Sequence, residues 1–187
     1  MHLHIQEVNK GLKLLNIIDV IGIALVLIIA SGLQFWLNEL PCPLCLLQRA
    51  GLLGIGFGFL LNIRFKPRPA HYSLSLLSAI LTAFVALRQI ALHVVPGSGG
   101  YGVPIFGMHL YTWMFILCMV AIVYISIILG FFTQYLGHDV PDRKLKALGT
   151  LAFALILLVA VDNIVSIYME CDFGACPDNP VSYVHKW

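Results

Sequence analysis

The sequence predicts an all-α integral membrane protein, built as a helical bundle of five transmembrane helices. Of its 187 residues, 60% are hydrophobic and 11% are charged, whereas a soluble domain carries about 25% charged residues. The apolar residues gather in five windows of roughly the 20 residues that a helix needs to cross a hydrocarbon core. The windows cover approximately residues 17–37, 44–61, 72–95, 110–132 and 148–169. Because each backbone polar group in lipid must be bonded within its own segment, the windows are predicted to be helices.

The segments between the windows contain the prolines, glycines and polar residues that end helices. Three of them read "NIRFKPRPAH" (62–71), "PGSGGYGVP" (96–104) and "GHDVPDRKLK" (137–146). An all-helical soluble core would instead need polar helix faces, which are missing here. The first window lacks a small-residue cleavage site, so we expect it to be a retained helix rather than a signal peptide.

The placement of lysine and arginine predicts how the bundle is oriented. In a five-span arrangement, eight of the eleven basic residues fall on one side of the bilayer. They are Lys10, Lys13, Arg64, Lys66, Arg68, Arg143, Lys144 and Lys146. The positive-inside rule makes that side cytoplasmic, so the N-terminus is predicted inside and the C-terminus outside. The net charge of +2 and the lack of a basic stripe with interleaved aromatics argue against a nucleic-acid partner.

Four of the five cysteines lie at the predicted outer ends of the spans. They form two close pairs, Cys42 with Cys45 and Cys171 with Cys176, whereas Cys118 falls inside the fourth window and is expected to be a packing residue. Pairs that face an oxidising compartment suggest disulfides. A purely structural bridge and a four-cysteine zinc site are the alternatives. A haem attachment would need histidine after the second cysteine, where Leu46 stands.

Local features around the first pair favour a reactive thiol. Pro43 suits the first turn of a helix because it presets φ and has no N–H to leave unbonded. Cys45 would then lie at the N-terminus of the second span, where the helix dipole favours a thiolate. Arg49 lies four residues later on the same helix face and supplies a cation. Simple anchoring at the membrane interface is the alternative role for this arginine.

The stretch "PCPLCLLQR", residues 41–49, resembles the Cys-x-x-Cys-x-x-x-Arg signature of the DsbB family. That family consists of membrane enzymes that make disulfides and pass the electrons to quinone. Two further segments are similar to it: "ALRQIALHVVP" (86–96) to the end of its third span and "PIFGMHLYTW" (104–113) to the lead-in to its fourth. The likeness covers about residues 15–132. It implies a single membrane domain, 1–187, in which 1–132 form a four-span core and 133–187 add a cytoplasmic loop, a fifth span and a periplasmic tail.

The resemblance also implies a cofactor and residues that bind it. The cofactor would be ubiquinone or menaquinone, drawn from the membrane quinone pool. Cys45 would contact the quinone ring, Arg49 would polarise it, and Gln48 would line the same site. Arg88 or His93 of the third span would assist; for His93, a role as a mere interface residue is the alternative.

The chain departs from the family pattern in its second cysteine pair. Family members carry that pair in the outer loop between spans three and four, but "PGSGGYGVP" contains no cysteine. Cys171 and Cys176, delivered to the same side by a fifth span, are predicted to replace it. They would accept electrons from a periplasmic DsbA-like protein of thioredoxin fold, which places the enzyme in a bacterial inner membrane. A tail disulfide that only braces the outer face is the alternative.

Two other functions stay open at this stage. One is a non-enzymatic subunit or assembly factor of a membrane complex, with structural disulfides. The other is a conduit that carries reductant outward, although such proteins tend to hold cysteines inside their spans.

We also expect two charged residues to approach each other, Arg88 of span three and Asp162 of span five. Both lie about 10–12 Å below the outer helix ends, and buried charges in membranes usually pair. In the alternative arrangement, Arg88 points into the quinone cavity and Asp162 forms hydrogen bonds with neighbouring hydroxyl groups.

Overall fold

The computed structural model describes residues 2–37, 40–94, 97, 99–136, 142–172, 174, 176 and 182–184, with backbone alone for residues 2–5. Within these residues there are six helices: α1 (His2–Leu37), α2 (Pro43–Arg64), α3 (Pro69–His93), α4 (Leu110–Leu129), α5 (Thr133–Leu136) and α6 (Arg143–Cys171). All except the four-residue α5 are long and apolar enough to cross a membrane. The prediction of an all-α membrane protein with five spanning helices is confirmed.

Helices α2, α3 and α6 begin at prolines or after a capping residue, and they extend beyond the apolar windows. Pro43 and Pro69 occupy the first turns of α2 and α3, where a missing N–H removes no helical hydrogen bond. Asp142 caps α6 by accepting from the backbone N–H groups of Lys144 and Leu145. A hydropathy window detects only the lipid-length apolar part of a helix, so it misses polar first turns such as those of α1 and α6.

Helix α2 lies at the centre of the bundle and packs against α1, α3 and α6, while α4 packs on α3. The buried core includes Ile17, Leu52, Phe59, Tyr72 and Ile125. Large apolar side chains also cover the outside of the bundle, with Ile29, Leu81, Val120 and Ile164 each at least 60% exposed. Such a surface suits lipid, since hydrocarbon tails are as apolar as leucine.

Small residues bring α2 and α3 close together. A Cβ added to Gly51 would lie 1.9 Å from Thr82 Oγ1, and one added to Gly58 would lie 2.5 Å from the backbone oxygen of His71. Ser75, on the facing side of α3, donates from its hydroxyl to the backbone oxygen of Ile55 at 2.8 Å. Helices inside a bilayer associate through close packing of this kind, because lipid tails are as apolar as the side chains and no hydrophobic force drives the helices together.

Polar contacts join the helices at the end of the bundle opposite the cysteine pairs. Tyr72 Oη donates to Gln134 Oε1 at 2.9 Å and accepts from Asn16 Nδ2 at 2.9 Å. The ammonium group of Lys10 lies 3.0 Å from a carboxylate oxygen of Asp142. The hydrogen bond from Lys10 is the main cause that lowers the pKa of Asp142 below its usual value. These contacts tie α1 to α3, to α5 and to the start of α6.

The expected pairing of Arg88 with Asp162 is wrong. Asp162 Oδ2 accepts a hydrogen bond from Ser31 Oγ at 2.6 Å, which joins α6 to α1. Arg88 is exposed on α3, a helix that packs against α2 and α4. The rise per residue predicts how deep Arg88 and Asp162 lie in the bilayer. It does not predict which way each side chain points, because that depends on how each helix is rotated in the bundle.

Candidate functional site

The first cysteine pair lies at the start of α2. Cys42 is the N-cap residue, with extended backbone angles of φ −70° and ψ 160°. Its Sγ accepts a hydrogen bond from the backbone N–H of Cys45 at 3.2 Å, and its carbonyl oxygen accepts from Leu46 N at 3.0 Å. Both cysteines are free thiols in the structure. The sulfur of Cys42 thus occupies the position where a helix N-terminus offers unpaired N–H groups to an acceptor.

A glutamine of α3 contacts both sulfurs. The side chain of Gln89 is completely buried, and its Nε2 lies 3.1 Å from Cys42 Sγ and 3.5 Å from Cys45 Sγ. Its Oε1 accepts from Gln48 Nε2 at 2.7 Å. Sequence reasoning missed Gln89. A signal for it exists, since Gln89 continues a buried stripe on α3 at spacings of three and four residues. That stripe is Tyr72, Ser75, Ala79, Thr82 and Ala86.

Arg49 is buried against α1 instead of reaching out to the membrane interface. It is 8% exposed, and its guanidinium donates to Gln34 Oε1 at 2.9 Å and to the backbone oxygen of Ala30 at 3.2 Å. It also interacts electrostatically with Cys45, Asp162 and Glu170. A charge within the bilayer is costly unless it is paired or faces a polar cavity. The structure therefore gives Arg49 fixed partners on α1 and acidic neighbours on α6.

A cavity of about 470 Å³ lies between α1, the start of α2 and α4. Cys45, Gln48, Arg49 and Gln34 form its polar wall. The rest of the lining is mainly apolar or aromatic: Val26, Ile29, Leu33, Leu40, Pro41, Tyr101, Val103, Ile105, Tyr111, Trp113, Met114 and Leu117 are among these residues. An apolar cavity with a few convergent polar groups is the usual form of a small-molecule site. These residues fit a flat apolar ring that carries carbonyl oxygens.

The two predicted quinone residues of α3 lie outside this lining. Arg88 is exposed. His93 stacks on Tyr111 with ring centroids 5.3 Å apart, and its Nδ1 lies 2.8 Å from the backbone oxygen of Gln89. His93 therefore contacts Tyr111, and Tyr111 lines the cavity. Cys45, Gln48 and Arg49 all line the cavity.

The second cysteine pair forms a disulfide at the end of α6. Cys171 and Cys176 are bonded, with their Cα atoms 4.5 Å apart. The tail that follows is tied to the bundle, because Val184 N donates to the backbone oxygen of Met169 at 3.0 Å and Tyr183 Oη accepts from Gln34 Nε2 at 3.0 Å. Gln34 thus joins the tail to Arg49. In the described part of the chain, no group of three or more His, Cys, Asp or Glu residues is placed to hold a metal ion.

Comparison with known proteins agrees with the family resemblance. Residues 13–101 match the family model described as Disulfide bond formation protein DsbB. Disulfide bond formation protein B of Chromobacterium violaceum is 39% identical over 67 residues, which cover 34% of this chain and 40% of that protein. The protein of the same name from Stutzerimonas stutzeri is 35% identical over 88 residues, or 44% of this chain and 53% of that protein. No solved structure matches the chain.

The resemblance to the DsbB family is therefore confirmed, over residues 13–101. The aligned part spans about half or less of the length of these curated relatives. The matched range contains the first cysteine pair together with Gln48, Arg49 and Gln89. Helices α4 and α6, and with them the tail disulfide, lie beyond it.

Proposed function

We propose, from the DsbB-family match of residues 13–101, that the protein is a membrane thiol:quinone oxidoreductase. In this proposal it generates disulfides for a periplasmic, DsbA-like protein of thioredoxin fold and passes the electrons to the membrane quinone pool. One observation carries the proposal: Cys45 of a CxxC pair lines the same apolar cavity as a buried arginine. A thiol that is to be oxidised by a lipid-soluble acceptor needs this combination of reactive sulfur, cation and apolar space.

The residues of the cavity have distinct proposed roles. Ubiquinone or menaquinone, when bound, accepts the two electrons and two protons that convert the Cys42–Cys45 dithiol into a disulfide. Cys45 presents its sulfur to the cavity, and Arg49 is held by α1 so that its charge faces the same space. Gln48 adds a polar edge. His93 acts through Tyr111, and the exposed position of Arg88 gives no support to its predicted quinone contact.

Cys171 and Cys176 are the proposed exchange pair for the soluble partner. A thiolate of the partner attacks one tail sulfur, which forms a mixed disulfide and releases the other tail sulfur as a thiolate. The second thiol of the partner then displaces the tail, leaving the partner oxidised and the tail a dithiol. The tail dithiol reduces the Cys42–Cys45 disulfide by the same two displacements, so two electrons pass at each stage. The hydrogen bond from Gln34 to Tyr183 and the one from Arg49 to Gln34 support this order, because they hold the tail beside the cavity.

The orientation follows from the same proposal. Both cysteine pairs face the periplasm of a bacterial inner membrane, with the N-terminus in the cytoplasm. Residues 1–132 form the DsbB-like four-span core within one membrane domain, and 133–187 add the fifth span and the tail. The tail replaces the cysteines that the loop between α3 and α4 lacks.

The test is a reconstituted assay of the full chain in lipid nanodiscs, with a reduced DsbA-like protein and decylubiquinone. We expect Cys45→Ser to abolish quinone reduction, because no disulfide can then form in the first pair. The double variant Cys171→Ser, Cys176→Ser should abolish oxidation of the partner. Mixed with the oxidised, disulfide form of the partner, either single variant should trap it as a mixed disulfide, because the remaining tail thiol attacks the partner's disulfide and no second tail thiol is left to release it. Cys118→Ala, which removes the buried thiol of α4, is the matched control and should keep normal rates.

The alternative is a non-enzymatic subunit of a membrane complex whose disulfides are structural. The contacts of Tyr183 and Val184 with the bundle favour it, since a docked tail could serve only as a brace. Under that alternative neither the wild type nor the double tail variant would oxidise the partner. Normal partner oxidation by the double variant, with no mixed disulfide trapped by either single variant, would instead mean that the protein is an enzyme whose tail is only a brace.

A further inference from the structure

We infer that Gln89 stabilises negative charge on the Cys42–Cys45 pair, and that Gln48 is a positioning residue that sets the orientation of the Gln89 amide. The inference deepens the proposed function, on which it rests for the meaning of the cysteine pair. It assigns a role to a completely buried side chain of α3 and changes the main role of Gln48 from lining the cavity to orienting a neighbour.

The orientation of the Gln89 amide is fixed from its oxygen end. A carboxamide has an acceptor oxygen at one end and an NH₂ donor at the other. Gln48 Nε2 donates to Gln89 Oε1 at 2.7 Å, which leaves the NH₂ group of Gln89 directed at the two sulfurs. Both glutamine side chains are buried, at 4% and 0% exposure for Gln48 and Gln89. With little water in reach, the sulfurs are the acceptors available to this NH₂ group, and leaving it unbonded would be costly.

The bonds from Gln89 matter because the pair carries charge when it is reduced. An incoming thiolate forms a new bond to one sulfur, the bond between the two cysteines breaks, and its electron pair stays on the other sulfur as a thiolate. An N–H group binds an anionic sulfur more strongly than a neutral disulfide sulfur. Gln89 therefore stabilises the leaving thiolate and, at equilibrium, the reduced pair relative to the disulfide.

Gln89 contacts both sulfurs of the pair. Cys42 Sγ accepts from Gln89 at 3.1 Å and from the backbone N–H of Cys45 at 3.2 Å. Cys45 Sγ lies 3.5 Å from the same amide and interacts with the charge of Arg49. Two thiols this closely connected share one anionic charge, so the ionisation belongs to the pair and not to either cysteine. Because the NH₂ group of Gln89 is close to both sulfurs, it can stabilise the negative charge on either of them.

The experiment measures the redox equilibrium of the pair without quinone. The full-length protein in nanodiscs is equilibrated with glutathione buffers, and the peptide carrying Cys42 and Cys45 is quantified by mass spectrometry. We expect Gln89→Leu to shift the equilibrium constant about tenfold toward the disulfide, a potential about 30 mV more negative. Alkylation of the reduced pair by iodoacetamide should slow by a similar factor. Gln89→Glu, which keeps the shape but places acceptor oxygens at the sulfurs, should shift the equilibrium the same way.

Two further variants separate positioning from packing. Gln48→Leu leaves Gln89 in place but frees its amide to rotate, so we expect a smaller shift in the same direction. Gln134→Leu removes another buried glutamine, hydrogen-bonded at the opposite end of the bundle, and should leave the constant unchanged. Wild-type constants in both Gln89→Glu and Gln48→Leu would overturn the inference, even if Gln89→Leu failed to fold. A pair that responds to Gln89 but reduces no quinone would leave this inference standing and refute the proposed function.

Discussion

The guanidinium of Arg49 shows how one residue can be both a structural link and a part of the cavity wall. Its two hydrogen bonds to α1, at 2.9 Å to Gln34 and 3.2 Å to Ala30, use only part of its fork of five N–H donors. The charge still faces the cavity that Cys45 lines. The bonds to α1 fix where that charge lies, and a fixed charge stabilises negative charge on a bound ring better than a mobile one.

We predict that Arg49→Lys weakens quinone binding although it keeps the charge. Lysine is a point charge on a flexible stem and cannot hold both Gln34 and Ala30 in a planar fork. In the proposed site the displaced charge no longer lies where it can bond a ring oxygen. A hydrogen bond to a charged group contributes about 1.5–3 kcal/mol, so KM for decylubiquinone should rise about tenfold or more. The thermal unfolding midpoint should also fall by a few degrees, because the hydrogen bonds to Gln34 and Ala30 are weakened.

The matched control is Arg88→Lys, made at an exposed arginine of α3. It should leave KM at the wild-type value, which would also remove Arg88 from the quinone contacts. An equal KM for Arg49→Lys and wild type would mean that Arg49 is only a helix-to-helix link.

At the scale of the elements, the α2–α3 contact sets the geometry of the site. Gln89 of α3 reaches the sulfurs at the start of α2 only because the two helices approach closely along their length. Gly51, Gly54 and Gly58 of α2 face Thr82, Ser78 and Ser75 of α3, respectively. A change in this spacing would therefore move Gln89 relative to the cysteines.

We predict that Gly58→Ala destabilises the protein by about 1–3 kcal/mol, the usual cost of overpacking. The new methyl group would lie 2.5 Å from the backbone oxygen of His71 and 2.9 Å from the backbone nitrogen of Ser75. Backbone atoms cannot rotate away, so the helices must separate. Gly22→Ala is the control, because nothing lies within 4 Å of a Cβ at that position, and alanine there favours the helix. Reversible unfolding in mixed micelles measures both variants, and equal stability would show that the helices yield without cost.

At the scale of the whole molecule, the sequence predicts the bundle well because the membrane sets the length of each helix. Five apolar windows identify the five spanning helices, and Pro43 identifies the start of α2. The partners of the site were not predictable in this way. Gln89 is 47 residues from Cys42, and Gln34 is 149 residues from Tyr183. Such contacts depend on which helices are neighbours and how each is rotated, and this information is not contained in local spacing.

The last prediction concerns how the whole bundle sits in the membrane. Eight of the eleven basic residues flank the ends of the helices opposite the cysteine pairs, and the ion pair of Lys10 with Asp142 joins the early part of α1 to the start of α6 at that end. From the positive-inside rule we predict that this end is cytoplasmic. Alkaline phosphatase fused after Trp187 should therefore be active, and the same enzyme fused after Lys66 should be inactive, with a fluorescent reporter giving the reverse pattern. Activity only after Lys66 would place both cysteine pairs in the cytoplasm, where exchange with a periplasmic partner is impossible.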